Sequence, residues 1–384
     1  KGNAVVMYHV KTMNKISKIG LAELDDRFEI SDTMEHEDAI LVRSAKLHDY
    51  DFPAELLCIA RAGAGVNNIP VDRCSEAGIV VFNTPGANAN GVKELTIAAL
   101  LLASRKISQG ITWVKEQAAA GADVAAVVEK GKAAYVGPEI QGKTLGVVGL
   151  GAIGVLVANA AAALGMQIVG YDPFLSVQHA LNLTPGVKVV STLEELYGQA
   201  DYISLHLPMT PETKGTLNDA AFAAMKDGVR IVNLARGELV DTEALKAALA
   251  SGKCAAYVTD FPNSETAAME GVVAIPHLGA STPESEDNCA MMAARQVRDY
   301  LDNGNIVNSV NLPVLSMAWA AKNRVCVLTK GADAAAIAAA VPAVASASKT
   351  RGEYGYFLLD TDAQVDTDAI AALPGVLRVR VLHQ

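Results

Sequence analysis

One glycine pattern near the middle of the chain constrains its fold more than any other feature. Gly149-Leu-Gly-Ala-Ile-Gly154 follows the apolar run Thr144–Val148, which is typical of a β-strand, and opens the apolar stretch Ile153–Leu164, which is typical of a helix. Glycines at this spacing permit a tight turn, and the last of them lets the helix pack closely on the strand. The pattern therefore predicts a strand–turn–helix unit within a parallel sheet.

The same turn also predicts a binding site for a dinucleotide. Gly151, the second glycine, allows the close approach of a pyrophosphate, whose oxygens would meet the free N–H groups at the start of the helix. Asp172 ends the next predicted strand, 172 − 151 = 21 residues after Gly151. An acidic side chain there accepts hydrogen bonds from ribose hydroxyls and repels a 2′-phosphate, and residues 173–176 contain no Arg. These residues predict NAD rather than NADP as the cofactor.

Strands and helices alternate on both sides of this unit, which predicts an α/β protein with mostly parallel sheets. The 384 residues suffice for two or three domains. We expect a flavodoxin-like substrate domain over residues 1–92, completed by 284–311, and a Rossmann-type dinucleotide-binding domain over 93–283. The helix Lys93–Arg105 would bridge these domains, and the helix Glu284–Asn303 would return to the first. The strands predicted besides Thr144–Val148 are Ala39–Val42, Cys58–Ala60, Val80–Phe82, Gln167–Tyr171, Tyr202–His206, Val229–Leu234, Ala255–Thr259 and Val272–Ile275, with a helix over Glu243–Ala250.

The residues after the linker Asn311-Leu-Pro-Val predict a third, smaller domain over 323–384. Its pattern is βαββαβ, the order of a ferredoxin-like module. The predicted strands are Arg324–Thr329, Val344–Lys349, Tyr354–Asp360 and Val376–Leu382, and the predicted helices are Asp333–Val341 and Asp366–Leu373. Two alanine-rich stretches, Ala118–Ala126 and Ala332–Ala347, are interpreted as surface helices because Ala is the best helix former.

The composition argues against several classes of protein. A net charge of −10 argues against binding to nucleic acid or to an anionic membrane surface, because like charges repel. The longest apolar stretch, Leu95–Ala103, is too short to span a bilayer, and no signal peptide is visible. Five scattered cysteines without a CxxC pair indicate buried thiols in a reducing cytoplasm rather than disulfides or a structural zinc site. We therefore expect a cytoplasmic protein without a metal.

Three complementary side chains follow successive predicted strands. Arg236 comes after Val229–Leu234, Glu265 shortly after the strand that ends before Asp260, and His277 after the last strand. Open α/β sheets bind ligands at the carboxyl ends of their strands. A His can take a hydroxyl proton near neutral pH, a carboxylate can orient that His, and an Arg can hold a substrate carboxylate. Each residue alone has an ordinary explanation, as an ion pair, a loop residue or a capping group, but together they predict catalysis.

These and other segments resemble the D-isomer-specific 2-hydroxyacid dehydrogenase family over residues 40–313. The matching segments besides the glycine turn include Leu41-Val-Arg-Ser, Arg61-Ala-Gly-Ala-Gly-Val, Asn83-Thr-Pro, Leu205-His-Leu-Pro, Asn233-Leu-Ala-Arg-Gly, Pro276-His-Leu-Gly-Ala-Ser-Thr and Ser309-Val-Asn-Leu-Pro. The C-terminal residues resemble an ACT regulatory domain.

The resemblance implies roles for individual residues. It makes Arg236, Glu265 and His277 the catalytic residues. It implies cofactor contacts, in addition to Gly149, Gly151, Gly154 and Asp172, at Ala64, Ala152, Ile153, Leu207, Leu234, Ala235, Asp260, Gly279 and Ala280. It implies substrate contacts at Arg43, Ser44 and Arg61, and Lys93 is added to them because Lys93 or Lys132 could complete a phosphate site in which an Arg of some relatives is missing.

The resemblance further implies an activity and an assembly. The expected reaction is the NAD-dependent oxidation of D-3-phosphoglycerate to 3-phosphohydroxypyruvate by hydride transfer, the first step of serine biosynthesis, in a homodimer or homotetramer. Two alternatives stay open. One is a glycerate or hydroxypyruvate reductase that needs fewer positive charges, and the other is a non-catalytic NAD-sensing protein on the same fold.

Overall fold

A computed structural model describes residues 6–384 of the chain, and the first five residues of the predicted first domain lie outside it. The chain forms two compact units: one contains residues 6–88 with 283–384, and the other contains 89–282. The C-terminal residues thus belong to the same compact unit as the first sheet. In the described part of the chain, no helix is both long and apolar enough to cross a membrane.

The N-terminal part of the first unit is built around a five-stranded parallel sheet. Its elements are β1 (Tyr8–Met13), α1 (Lys18–Leu21), β2 (Phe28–Ser31), β3 (Ala39–Val42), β4 (Cys58–Arg61), α2 (Val71–Glu76) and β5 (Val80–Phe82). The strand order is β2-β1-β3-β4-β5, which is the order of flavodoxin-like folds and agrees with the predicted fold class, although β1 and β2 themselves were not predicted. Every residue of β3 is fully buried, as expected for a central parallel strand covered on both faces.

The second unit contains a seven-stranded parallel sheet. Its elements are α3 (Ala89–Ser104), α4 (Ile107–Ala119), α5 (Val124–Gly131), β6 (Thr144–Val148), α6 (Ala152–Ala163), β7 (Gln167–Tyr171), α7 (Val177–Leu181), β8 (Lys188–Val189), α8 (Leu193–Gln199), β9 (Tyr202–Leu205), α9 (Asp219–Ala224), β10 (Val229–Asn233), α10 (Thr242–Ser251), β11 (Cys254–Thr259) and β12 (Val272–Ala274). The order β12-β11-β10-β9-β6-β7-β8 places β6 inside the sheet, with the chain running outward on both sides. This arrangement confirms the predicted Rossmann-type sheet.

The last hundred residues add one long helix and an antiparallel sheet. The elements are α11 (Pro283–Asn303), β13 (Asn323–Lys330), α12 (Ala334–Ala339), β14 (Ala345–Arg351), β15 (Tyr354–Thr361), α13 (Thr367–Ala371) and β16 (Val376–His383). The strand order β14-β15-β13-β16 and the βαββαβ connectivity confirm the small α/β module predicted for this segment. Its kinship with ACT domains stays a prediction.

Two faces of the C-terminal sheet bury different partners. Ile337 of α12 and Ile370 of α13 pack with Val325 and Val327 on one face. On the other face Leu328 belongs to the core that also contains β1, β3 and α11. The helix α11 also packs closely on α1, where both helices carry small residues: a Cβ at Gly20 of α1 would lie 2.3 Å from the Cβ of Ala290 of α11. The antiparallel sheet therefore shares one hydrophobic core with the first parallel sheet.

The alanine-rich stretches, which we interpreted as surface helices, are helical only in part. In the second stretch, α12 and β14 agree with the predicted helix Asp333–Val341 and the predicted strand Val344–Lys349. Between α4 and α5 the chain turns at Gly121, which has a left-handed φ of 74°, and Asp123 caps the new helix by accepting from the N–H of Ala126. After α12 the segment turns at Pro342 and continues as β14. Pro and Gly interrupt a helix at a cost larger than the small preference of each Ala for it.

Candidate active site

The three glycines of the turn after β6 have different surroundings. Gly149 has a left-handed φ of 93°, and a Cβ there would lie 2.5 Å from the carbonyl oxygen of His206. A Cβ at Gly154 would lie 1.9 Å from the carbonyl oxygen of Gly149, whereas one at Gly151 would meet no atom within 4 Å. The outer two glycines are therefore required for packing, and Gly151 borders open space at the start of α6. Such a space beside unpaired helical N–H groups fits the pyrophosphate of a dinucleotide.

Asp172 connects this turn to the end of β7. Its Oδ2 accepts a hydrogen bond from the N–H of Leu150 at 2.9 Å, and its Oδ1 accepts one from the N–H of Phe174 at 2.8 Å. A carboxylate has about four acceptor positions, so both oxygens can still accept from ribose hydroxyls. Asp172 thus holds the glycine turn in place in addition to the ribose contact predicted for it.

The carboxyl ends of three neighbouring strands bring two of the predicted catalytic residues together. β10, β11 and β12 are adjacent, and they lead to Arg236, to Asp260-Phe261 and to His277. The ring of Phe261 lies near both basic groups: its centroid is 4.4 Å from that of the His277 imidazole and 5.4 Å from the guanidinium carbon of Arg236. Sequence reasoning missed Phe261, although an aromatic residue directly after a buried strand and Asp260 was the available signal.

A buried amide fixes the backbone that carries Arg236. The Oδ1 of Asn233 accepts from the N–H groups of Ala235 and Arg236 at 3.1 and 3.3 Å, and its Nδ2 donates to the carbonyl oxygen of Arg236 at 2.8 Å. Asn233 has no solvent exposure. Asn233 was also absent from our predicted site. It closes the turn after β10 and thereby positions the backbone from which the Arg236 side chain extends.

Asp260 is a buried acid with an incomplete set of hydrogen bonds. It is 1% exposed, and its Oδ2 accepts from the N–H of Gly279 at 3.2 Å, but its Oδ1 is buried and accepts from no donor among residues 6–384. Burial raises the pKa of the Asp260 carboxyl above its ordinary value, and the Gly279 hydrogen bond and the nearby His277 oppose that rise. A buried oxygen without a donor suits an N–H group of a bound molecule, as expected of a cofactor contact.

Glu265 does not join this group in the structure. Asn263 accepts from the N–H groups of Glu265 and Thr266, which forms a tight turn, and the Glu265 carboxylate then meets the Nζ of Lys246 on α10 at 3.3 Å. Glu265 and Lys246 border a cavity together with Cys254, at the amino end of β11. Within the described part of the chain, no salt bridge links Glu265 to His277. Its predicted catalytic role therefore stays a prediction.

The other predicted cofactor contacts of the second unit occupy the same edge of its sheet. They lie at the start of α6, after β9, after β10 and after β12: Ala152, Ile153, Leu207, Leu234, Ala235, Gly279 and Ala280. The side chain of Leu207 borders the glycine turn, since a Cβ at Gly149 would lie 3.2 Å from its Cδ2.

The predicted substrate residues are divided between the two units. In the first unit, Arg43 and Ser44 follow β3, Arg61 is the last residue of β4, and Ala64 lies after β4. Lys93 lies on α3, and Lys132 lies after α5, both in the second unit. Several of the cations already have acidic neighbours: Arg43 Nη2 donates to Glu286 at 2.6 Å, Lys93 lies 3.9 Å from Glu94, and Lys132 pairs with Glu129.

Comparison with known proteins supports the interpretation of this edge. Residues 97–279 match the family described as D-isomer specific 2-hydroxyacid dehydrogenase, NAD binding domain. The prediction of NAD as the cofactor is thereby confirmed at the level of the domain.

Curated relatives and a solved structure extend the match beyond that domain. The chain is 35% identical over 313 residues to a D-3-phosphoglycerate dehydrogenase of Methanocaldococcus jannaschii, covering 79% of this chain and 57% of the relative. It is 40% identical over 299 residues to that of Mycobacterium leprae, covering 75% and 53%. A cofactor (NAD+) bound 3-phosphoglycerate dehydrogenase of Entamoeba histolytica superimposes with a TM-score of 0.61 at 27% identity, covering 81% of this chain and all of that one.

The chain spans between half and three fifths of the length of these curated relatives. Residues 97–279, which match the family model, include the glycine turn, Asp172 and the strand ends with Arg236 and His277. The chain is therefore similar to D-isomer specific 2-hydroxyacid dehydrogenases, and its residues 97–279 match the NAD-binding domain of that family.

Proposed function

We propose that this protein catalyses the NAD-dependent oxidation of D-3-phosphoglycerate to 3-phosphohydroxypyruvate, the first step of serine biosynthesis. The observation that carries the proposal is the convergence of Arg236 and His277 around Phe261 at the carboxyl edge of the NAD-binding sheet. The curated D-3-phosphoglycerate dehydrogenases, 35–40% identical to the chain, support the choice of substrate.

The arrangement of side chains suits the removal of a hydride and a proton from a secondary alcohol. When bound, NAD supplies the acceptor for the hydride that leaves C2. His277 accepts the hydroxyl proton, which leaves a carbonyl at C2. Arg236 holds the substrate carboxylate through its guanidinium fork, and Phe261 covers one side of both groups and limits the access of water. Glu265 is proposed to orient the His277 imidazole once substrate is bound.

Substrate recognition is proposed to use the basic residues of the first sheet. Arg43 and Ser44 follow β3, and Arg61 ends the adjacent strand β4. Ligands of such sheets bind at the carboxyl ends of the strands. In a protein of net charge −10, two arginines at one edge provide a local attraction for an anion.

One observation favours a second candidate, a glycerate or hydroxypyruvate reductase. Arg43, Lys93 and Lys132 each lie beside a glutamate, which lowers the positive charge that is available to a phosphate. The other alternative is a non-catalytic NAD-sensing protein on the same fold. No contact of Arg236 or His277 among the described residues favours it.

A turnover assay with NAD and a panel of D-2-hydroxy acids, with and without phosphate, tests these proposals. We expect kcat/KM for 3-phosphoglycerate to exceed that for glycerate, and the difference to shrink when Arg61 is replaced by Ala. Replacing His277 with Ala should lower kcat by about 10²–10⁴-fold, the range expected for a lost general base. Equal kcat/KM for glycerate would support the reductase, and the absence of turnover with any acid would support the sensor.

We further propose a homodimer or homotetramer in the cytoplasm. The five cysteines are all buried free thiols in the structure, which fits a reducing compartment. Exposed apolar residues of α4, such as Ile107 and Ile111, are candidates for a subunit contact. The mass in solution at micromolar concentration, measured by light scattering, tests the assembly.

A further inference from the structure

The loop after β1 lies at the point where ligands bind in sheets of this topology. In the order β2-β1-β3-β4-β5, the chain moves outward in opposite directions from β1 and β3. The loops that follow these two strands therefore leave a crevice at their carboxyl ends, which is the usual ligand position in flavodoxin-like sheets. Asn14 follows β1 at this point, and Arg43 and Ser44 follow β3.

Asn14 connects the two loops through its side chain. Its Oδ1 accepts hydrogen bonds from the N–H groups of Ser44 and Ala45, at 2.9 and 2.6 Å. The backbone of Asn14 has a left-handed φ of 69°, which Asn tolerates better than most residues. The exposed residue Asn14 thus accepts two backbone hydrogen bonds and also has a backbone angle that most residues disfavour.

The turn held by Asn14 is also joined to Arg61. The Nε of Arg61 donates to the carbonyl oxygen of Arg43 at 3.0 Å. Its guanidinium lies over Gly63, where a Cβ would be 2.0 Å from the Arg61 Nη1. Asn14 fixes the turn from the side of β1, and Arg61 contacts it from the side of β4. The position of the Arg43–Ser44 turn therefore depends on both neighbours.

We propose that Asn14 is a positioning residue for substrate binding, which holds the Arg43–Ser44 turn so that its groups can bind the anionic part of a hydroxy acid. The proposal rests on the proposed function of the chain as a 2-hydroxyacid dehydrogenase. Asn14 itself need not touch substrate, because it acts through the two N–H groups that it orders. None of the sequence patterns indicated this residue.

Three variants separate the hydrogen bonds of Asn14 from its backbone conformation. Asn14→Gly keeps the left-handed φ available but removes the acceptor, and Asn14→Asp keeps an acceptor oxygen. His36→Gly is the matched control, because His36 is an exposed non-glycine residue with a φ of 61° in the same unit and lies before β3, at the opposite end of the strand.

Two readouts test the proposal in the full-length protein. Amide hydrogen exchange at Ser44 and Ala45 should be faster in Asn14→Gly than in the wild type and should return toward the wild-type rate in Asn14→Asp. The KM for 3-phosphoglycerate should rise about tenfold in Asn14→Gly, as expected for the loss of two hydrogen bonds that order a binding turn, while the KM for NAD changes less than about twofold. His36→Gly should leave both constants unchanged.

Three results would overturn the proposal. Unchanged exchange at Ser44 and Ala45 in Asn14→Gly would show that Asn14 does not hold the turn. Faster exchange with an unchanged KM for the acid would show that the held turn does not matter for binding. Equal increases in both KM values, with a lower Tm, would show a general structural role. If the wild type does not oxidise 3-phosphoglycerate, the proposed substrate fails, and the same comparison is made with the best hydroxy acid of the panel.

Discussion

Polar side chains hold the backbone turns that carry the proposed site residues. Asn233 closes the turn that carries Arg236, Asn14 holds the turn that carries Arg43, and Asp172 accepts two backbone N–H groups beside the glycine turn. Asp260 is different, because residues 6–384 provide a donor for only one of its oxygens. A buried carboxylate that lacks a donor destabilises the folded state, and a bound ligand can supply what is missing.

Replacing Asp260 with Asn should therefore raise Tm at pH 7 while it weakens turnover. Burial raises the pKa of Asp260 in the folded protein above the unfolded value of 3.8. Between these two pKa values the folded protein binds more protons than the unfolded chain, so stability falls as pH rises through that interval. The gain in Tm should be a few degrees, about 2–4 °C per kcal/mol, and should shrink as pH falls toward 3.8. A lower Tm of the variant at pH 7 would contradict this reasoning.

Asp172 should affect both the choice of cofactor and the glycine turn. Asp172→Asn removes the charge that repels a 2′-phosphate but keeps one acceptor oxygen, so the preference for NAD over NADP should narrow about tenfold or more, ~1.4 kcal/mol. Asp172→Ala removes both backbone contacts and should also raise the KM of both cofactors. The values of kcat/KM for NAD and NADP in the two variants check this. An unchanged preference in Asp172→Asn would show that another residue selects the cofactor.

At the scale of elements, the segment between β11 and β12 decides which residues can cooperate. Glu265 and His277 are only 277 − 265 = 12 positions apart in the sequence. The turn at Asn263 directs the Glu265 side chain toward Lys246 on α10. The side chains of Lys246 and Glu265 are each about half-exposed. Ion pairs of this kind contribute roughly 0–1 kcal/mol to the free energy of unfolding. The pair can therefore break at little cost when a ligand reorganises the segment.

A comparison of Glu265→Gln with Lys246→Met tests the role of this segment. If Glu265 orients His277 during turnover, Glu265→Gln should lower kcat by about tenfold or more, whereas Lys246→Met should leave kcat within about twofold. The reason is that only the first variant removes the carboxylate from the reaction. Small and equal effects of the two substitutions would mean that Glu265 serves only as the partner of Lys246.

At the scale of the whole chain, a buried ion pair joins the C-terminal sheet to the residues that precede it. Arg324 of β13 and Asp360 of β15 have no exposed side-chain surface, and their closest N–O distance is 2.7 Å. The guanidinium also donates to the carbonyl oxygens of Asn303, Met317 and Ala318, at 2.8 to 2.9 Å. Arg324 thus binds the end of α11 and the linker to the antiparallel sheet.

Removing one partner of this pair should be far more damaging than replacing both. Arg324→Ala leaves the Asp360 charge buried, and we expect a loss of about 3–5 kcal/mol in the free energy of unfolding. The double variant Arg324→Met with Asp360→Leu should recover a large part of that loss, because no isolated charge remains. Denaturant unfolding of the three proteins measures the difference. A double variant as unstable as Arg324→Ala would show that the linker carbonyls, rather than the charges, dominate.

Local sequence patterns were sufficient to predict many of the strands, although not β1 and β2, and the residues that follow them. Apolar runs of four to six residues, turn residues and glycine spacing act over short stretches of chain, so β3, β6 and β7 begin and end at the predicted residues. The position of Arg236 and His277 at one edge followed as well, because parallel strands place their carboxyl ends together.

Contacts between side chains of distant segments were not predictable from local patterns. The partner of Glu265 on α10, the bridge from Asn14 to Ser44 and the pair of Arg324 with Asp360 each join residues 19 to 36 positions apart. The core shared by Leu328, α11 and the first sheet joins residues separated by most of the chain. Such contacts depend on packing and on the direction of each side chain, to which the local pattern of apolar and polar residues is not sensitive.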